Sequence, residues 1–172
     1  MLEKQLIEHC SPTLASLKTA NLFTYRYAEE EGLMESVSQW NRRMGAKGIR
    51  MAVLKKKDGM ALVYVCRVAR LLEDMKKPGT AEFLKWCGYE DTDPEKALIR
   101  LSRRLSESDQ FPHEIGLFLG YPLGDVIGFM ANAGKNYKFT GYWKVYTNVK
   151  EAVRMFEKYK KCRDVYLSLI HI

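Results

Sequence analysis

Apolar positions recur with helical spacing in several stretches of the chain. Between about Glu29 and Gly45, Leu33, Val37, Trp40 and Met44 share one face, and Gly48 is a natural stop. A helix opening at Asp93-Pro94 turns Leu98, Leu101 and Leu105 inward and Arg100, Arg103 and Arg104 outward. A last helix, Val149 to about Val165, carries Val149, Ala152, Val153, Phe156 and Tyr159 on its apolar side. Shorter helices are predicted over Ala69 to Met75 and Thr80 to Cys87, the latter stopped by Gly88. At the N-terminus Leu2 to His9 reads as a short helix. Ser11-Pro12 then supplies a second start, with serine as N-cap and proline at the first helical position. Lys18 to Tyr27 has no clear period.

Two runs change from helical to extended character. Ile49 to Leu54 and Ala61 to Val68 are rich in β-branched and large apolar residues, and Lys55-Lys56-Lys57-Asp58-Gly59 between them ends in a turn dipeptide. Both strands are apolar at most positions, which predicts a hairpin covered on both faces. Further on, Ile115 to Gly120, Asp125 to Ala133 closed by Gly134, and Gly141 to Thr147 read as strand, helix and strand, a β-α-β unit. The sum is an α+β single domain over residues 1–166 with a mixed sheet of about four strands, one hairpin plus one β-α-β unit, covered by helices. The final hexapeptide, Leu167 to Ile172, breaks the preceding pattern and reads like a translated adaptor. On that expectation His171 is not a natural residue, and His9 and His113 are the two candidate imidazoles.

Composition narrows the class. The chain has 172 residues, 47% of them hydrophobic, enough for one real core. Apolar runs stay short of the roughly 18 to 20 residues of a membrane span, and Met1-Leu2-Glu3-Lys4-Gln5 lacks a signal-peptide layout, so a cytoplasmic protein without a membrane partner is expected. Cys10, Cys66, Cys87 and Cys162 show no metal or disulfide spacing, and free thiols are expected. The formal charge of +7 suits an anionic partner. The basic residues nevertheless fall in separate short clusters (Lys55 to Lys57, Lys76-Lys77, Arg100 with Arg103-Arg104, Lys158 with Lys160-Lys161), which disfavours nucleic acid.

The string from His113 to Phe129, HEIGLFLGYPLGDVIGF, is followed by Gly141-Tyr142-Trp143-Lys144-Val145-Tyr146. It is preceded by His9-Cys10-Ser11-Pro12-Thr13-Leu14-Ala15, Lys18 and Ala20-Asn21-Leu22-Phe23. With these motifs the chain resembles the bacterial family known as domain of unknown function 3793, over nearly its whole length to Tyr166. The resemblance implies a tie to redox or iron physiology. It brings no activity and assigns no residue a role.

Three features bear on chemistry. Cys10 precedes the predicted helix start, where free N–H groups and the helix dipole would favour a thiolate, and His113 with Glu114 beside it is the candidate imidazole partner. The turn Gly120-Tyr121-Pro122-Leu123-Gly124-Asp125 has the glycines of a ligand-cradling loop, but Asp125 would itself cap the following helix and repel an anion. Lys135 to Tyr146 alternates lysines with aromatics, as single-strand nucleic-acid binders do and as ordinary half-buried strands do. No metal-ligand spacing, P-loop, GxGxxG, HExxH or GxSxG motif occurs, and the cofactor is unknown; a haem or flavin pocket leaves little trace in sequence. The leading expectation is a small-molecule or cofactor site joining the HCSP turn to the HEIGLFLGYP segment, drawing on His9, Ser11, Lys18, Asn21, Glu114, Gly120, Tyr121 and Asp125. A thiol-dependent enzyme using Cys10 with His113 and a basic-surface interaction protein are the alternatives. Oligomeric state is left open.

Overall fold

The structure, a computed structural model, describes residues 1–170. His171 and Ile172, the end of the adaptor-like hexapeptide, lie outside the described residues. The architecture is α+β: eight α-helices and five strands among the described residues, with no helix long and apolar enough to cross a membrane.

The hairpin is the centre of the molecule. Strands β2 (Ile49–Lys57) and β3 (Met60–Arg67) meet at a two-residue turn in which Asp58 and Gly59 both take positive φ, 52° and 75°, as a tight hairpin of matching twist requires. β3 is buried along nearly all its length, because Ala61, Val63 and Val65 face one core while Leu62, Tyr64 and Cys66 face the other. The sheet is not the expected four-stranded mixed one. It is antiparallel, in the order β1-β3-β2, and its third strand is β1 (Ala20–Arg26), a segment whose sequence has no clear period. β1 is an edge strand in which Asn21, Thr24 and Arg26 interrupt the apolar positions, so its alternation is weak on paper.

One face of the sheet is covered by helices α1 (Leu2–Leu14) and α2 (Glu30–Met44), with Leu6, Cys10, Leu33, Val37 and Trp40 against Phe23, Met51 and Val63. The other is covered by α3 (Val68–Met75), α4 (Thr80–Trp86), α5 (Pro94–Glu107) and the single-turn α6 (Ile115–Phe118). Asp93 caps α5, its carboxylate accepting from the Lys96 amide at 3.3 Å with Pro94 in the first turn. A bulge at Leu54 shifts the β2 register, and the Leu54 carbonyl accepts from Ser102 Oγ of α5 at 2.6 Å.

Two further expectations are corrected. The N-terminal segment is one helix, α1, which runs through Ser11 and Pro12 instead of restarting there. A proline inside a helix leaves the carbonyl four residues earlier without its amide donor; here that carbonyl, Glu8 O, accepts from Arg163 Nε of the last helix at 3.2 Å. The β-α-β unit is also absent. Residues 115–120 coil, with the Leu119 amide on the Ile115 carbonyl, and all four residues of α6 are buried, so the run carries no period to separate strand from helix. α7 (Leu123–Asn132) follows. Of Gly141 to Thr147, Lys144–Val145 forms β5, paired only with β4 (Phe139–Thr140) in a small separate ribbon. Helix α8 (Val149–Ile170) packs Ala152, Phe156 and Tyr159 under that ribbon and continues through residues 167–170.

Arg104, expected to face outward, instead turns to Glu114. Glu114 is 2% exposed and takes a bidentate pair from Arg104 Nε and Nη2 plus the Tyr89 hydroxyl at 3.1 Å. This buried cluster ties α5 to the start of α6. Arg104→Met strands the carboxylate in the interior and is expected to cost ~3 to 5 kcal/mol in chemical denaturation, whereas Arg104→Met with Glu114→Leu recovers most of that loss; equal losses in the two variants would contradict the pairing.

Candidate functional site

An open cavity of about 670 Å³ lies between the start of β1, the loop before α6, α7 and the β5 ribbon. Its position follows from three local arrangements.

The first holds the segment between α1 and β1. Carbonyls at the end of a helix lack amide partners, and here arginines on the β3–α3 connection supply them. Arg67 donates to Thr13 O at 3.0 Å, to Leu14 O at 2.5 Å and to Lys47 O at 3.1 Å, while Arg70 donates to Ser16 O and Leu17 O at 3.1 and 3.3 Å. Ser16 takes a left-handed φ of 62° in the resulting turn. The chain is thereby directed so that Lys18 points inward, 5% exposed, its ammonium donating to Ala20 O at 2.8 Å and lying 5.6 Å from the Tyr121 ring centre.

The second arrangement is built on Asp125. Its buried carboxylate accepts four hydrogen bonds: Trp143 Nε1, the amides of Tyr146 and Thr147, and Thr147 Oγ1, at 2.7 to 2.9 Å. Asp125 does not cap α7, as the sequence suggested; it holds the 143–147 segment against that helix. Trp143 is thereby stacked on Tyr121, with centroids 4.7 Å apart, and edge-on to Phe156 at 4.6 Å.

The third is the turn after α6. Gly120 adopts φ +86°, and Thr19 presses on it so closely that a Cβ would lie 2.9 Å from the threonine side chain. Thr19 Oγ1 in turn donates to Asp74 at 2.5 Å. Gly120 therefore closes a turn and does not touch the cavity.

Of the residues expected at a site, Lys18, Asn21, His113, Tyr121 and Asp125 line this cavity. His9, Cys10, Ser11, Glu114 and Gly120 do not. His9 is exposed and stacks on Phe23, centroids 5.6 Å apart; Ser11 is buried inside α1; Glu114 is committed to Arg104 and Tyr89. Cys10 loses the premise of its reactivity, since it lies mid-helix and fully buried rather than ahead of a helix start. Burial pushes its thiol up to about 12, against a smaller opposing pull from the Lys18 ammonium. It belongs to the core on the α1–α2 face of the sheet, whereas His113 is exposed at the cavity wall against Phe129, so no thiol–imidazole pair forms.

Sequence reasoning missed Leu22, Phe111, Phe129, Trp143 and Lys144 as wall residues. The run of lysines and aromatics from Lys135 to Tyr146 was the available signal. Lys144 does sit among rings, 5.1 Å from the Tyr137 centroid and 5.6 Å from that of Phe129, and donates to Gly134 O at 2.8 Å.

The charges of the wall are unequal in their satisfaction. Asp125 has its four donors. Asn21 accepts from Thr13 Oγ1 at 2.7 Å, and its amide nitrogen has no acceptor among the described residues. Lys18 has one acceptor for three N–H bonds and no carboxylate partner among the described residues. Burial accordingly lowers its pKa from the usual lysine range to about 8, the nearby Cys10 acting weakly the other way. Among the described residues no three His, Cys, Asp or Glu side chains gather into a metal-binding group.

The chain belongs to the family described as Protein of unknown function (DUF3793), whose profile matches residues 6–171, in agreement with the motifs around His9 to Phe23, His113 to Phe129 and Gly141 to Tyr146. Searches among curated proteins and among solved structures each find no match.

Lys18 has a measurable consequence for stability. Its folded pKa, near 8, lies below its unfolded value, so the unfolded chain binds more protons between about pH 8 and 10.5 and the penalty is present in full below pH 8. Lys18→Met should therefore stabilise the ligand-free protein by about 3 kcal/mol at neutral pH. That advantage should shrink as pH rises from 8 to 10.5, read as the difference between two urea melts at each pH; an advantage independent of pH would show that the ammonium is not buried.

Proposed function

We propose that the protein binds a small organic molecule in the cavity walled by Lys18, Asn21, Phe129, Tyr121 and Trp143. The observation that carries this reading is the lysine. A buried ammonium without a counter-charge is a standing cost, and it lines an open, largely apolar hollow of a size typical for ligand sites. A purely structural lysine would be expected to pair with a carboxylate or to reach solvent. Fixed surroundings support the same reading: the Arg67 and Arg70 contacts and the four bonds to Asp125 orient the polar and aromatic walls before any ligand arrives, which reduces the ordering cost of binding.

The proposed site joins two stretches that lie far apart along the chain. Its N-terminal contribution comes from Lys18, Asn21 and Leu22 and not from the HCSP turn. A thiol-dependent reaction draws less support, because Cys10 is enclosed and held as a thiol. Binding through a basic surface also draws less: Lys55, Lys56 and Lys57 are engaged by Asp109 and Glu30, and the other clusters lie on separate elements, the turn after α3, α5 and α8.

Native mass spectrometry of the protein purified from the organism that encodes it tests this directly. The expected result is a small-molecule adduct that dissociates on denaturation. It should be lost in Leu22→Trp, which places an indole from a half-buried position of edge strand β1 into the hollow while the far-ultraviolet circular dichroism stays unchanged. An adduct that survives the filled cavity, or its absence from the wild-type protein, contradicts the proposal.

A further inference from the structure

We infer that the ligand of this cavity is a planar, conjugated molecule with one singly charged acidic group, a carboxylate seated on Lys18. The inference rests on the binding role proposed above and specifies its chemistry.

The charge follows from what each wall group can still do. Lys18 has two N–H bonds uncommitted and, beyond the Tyr121 ring, no carboxylate among the described residues to balance its charge. The carboxylate at the wall, Asp125, is turned toward Trp143, Tyr146 and Thr147, with three donors on Oδ1 and the Trp143 indole on Oδ2, so its charge is already engaged within the wall. Lys144 adds a second positive charge at the other side. A cation would therefore enter a hollow whose free charge is positive, and a neutral ligand could accept from the ammonium but would leave its charge unbalanced.

The single negative charge follows from the shape of the donor set. Lys18 is a point charge with the Asn21 amide nitrogen nearby on the same wall, and no arginine lines the cavity. Two donors suit the two oxygens of a carboxylate; a phosphate dianion would lack partners. The ligand body meets the rings of Tyr121, Phe129 and Trp143 together with the aliphatic Leu22 and Leu119, an apolar wall whose rings can stack on a flat π-system.

Titration calorimetry of the full chain with 2-naphthoate and with 2-naphthamide, its uncharged isostere, tests the charge. Wild type should favour the naphthoate by about tenfold or more at neutral pH, and Lys18→Met should bind the two alike. The wild-type comparison stands even if the variant fails to fold. Equal affinity for both probes in wild type, with both weakened by Leu22→Trp, overturns the acid assignment and leaves the pocket reading intact. Failure of both probes to bind, or binding that Leu22→Trp does not alter, overturns the pocket reading along with it.

Discussion

A lysine ammonium stripped of water and given no carboxylate is expensive, and most of the local structure around the cavity exists to hold one in that condition. Lys18 cannot swing out to solvent because the carbonyls on its N-terminal side are tied down by Arg67 and Arg70, and β1 begins two residues later in register with β3. The arginines belong to the end of the central strand and the start of α3, so the best-packed part of the protein fixes the least comfortable residue. A free-energy cost maintained by several independent contacts is the usual mark of a site prepared for a partner that relieves it.

Asp125 performs the complementary task on the far wall. It gathers donors from Trp143, Tyr146 and Thr147, so a segment with almost no regular structure behaves as a fixed wall. The stack of Tyr121 on Trp143 then joins the α6–α7 turn to the ribbon, and Phe156 of α8 closes Trp143 from beneath. Charge on one side and rings on the other thus come from stretches a hundred positions apart, brought together because α1 and β1 lie beside the central hairpin while α6, α7 and the ribbon fold over its edge.

Elements with a visible period were legible in the sequence: α2 from Leu33, Val37 and Trp40; α5 from Leu98, Leu101 and Leu105; the hairpin from its apolar strands and Asp58-Gly59. Three other features were decided by contacts far away along the chain. Pro12 reads as a helix start until Arg163 is seen to satisfy the carbonyl it frees. The run Ile115 to Gly120 reads as a strand because a helix buried on all sides has no polar face to betray it. β1 shows no period because Asn21, Thr24 and Arg26 break up its apolar positions and its burial does not alternate cleanly. The site was half legible for the same reason. Lys18, Asn21, His113, Tyr121 and Asp125 lie in distinctive strings and do line the cavity, whereas Cys10 and Glu114 are equally distinctive and serve the core. Distinctiveness alone does not separate a residue that packs from one that binds, and no local rule foretells that a lysine will be buried.

The decisive quantity is the protonation equilibrium of that one amine in the empty protein. Following the Lys18 ε-carbon resonance against pH, assigned by its loss in Lys18→Met, should give a midpoint near 8. A midpoint at the ordinary lysine value near 10.4 would mean that water or a counter-charge already stabilises the ammonium, and the cavity would then hold no unmet demand for a ligand.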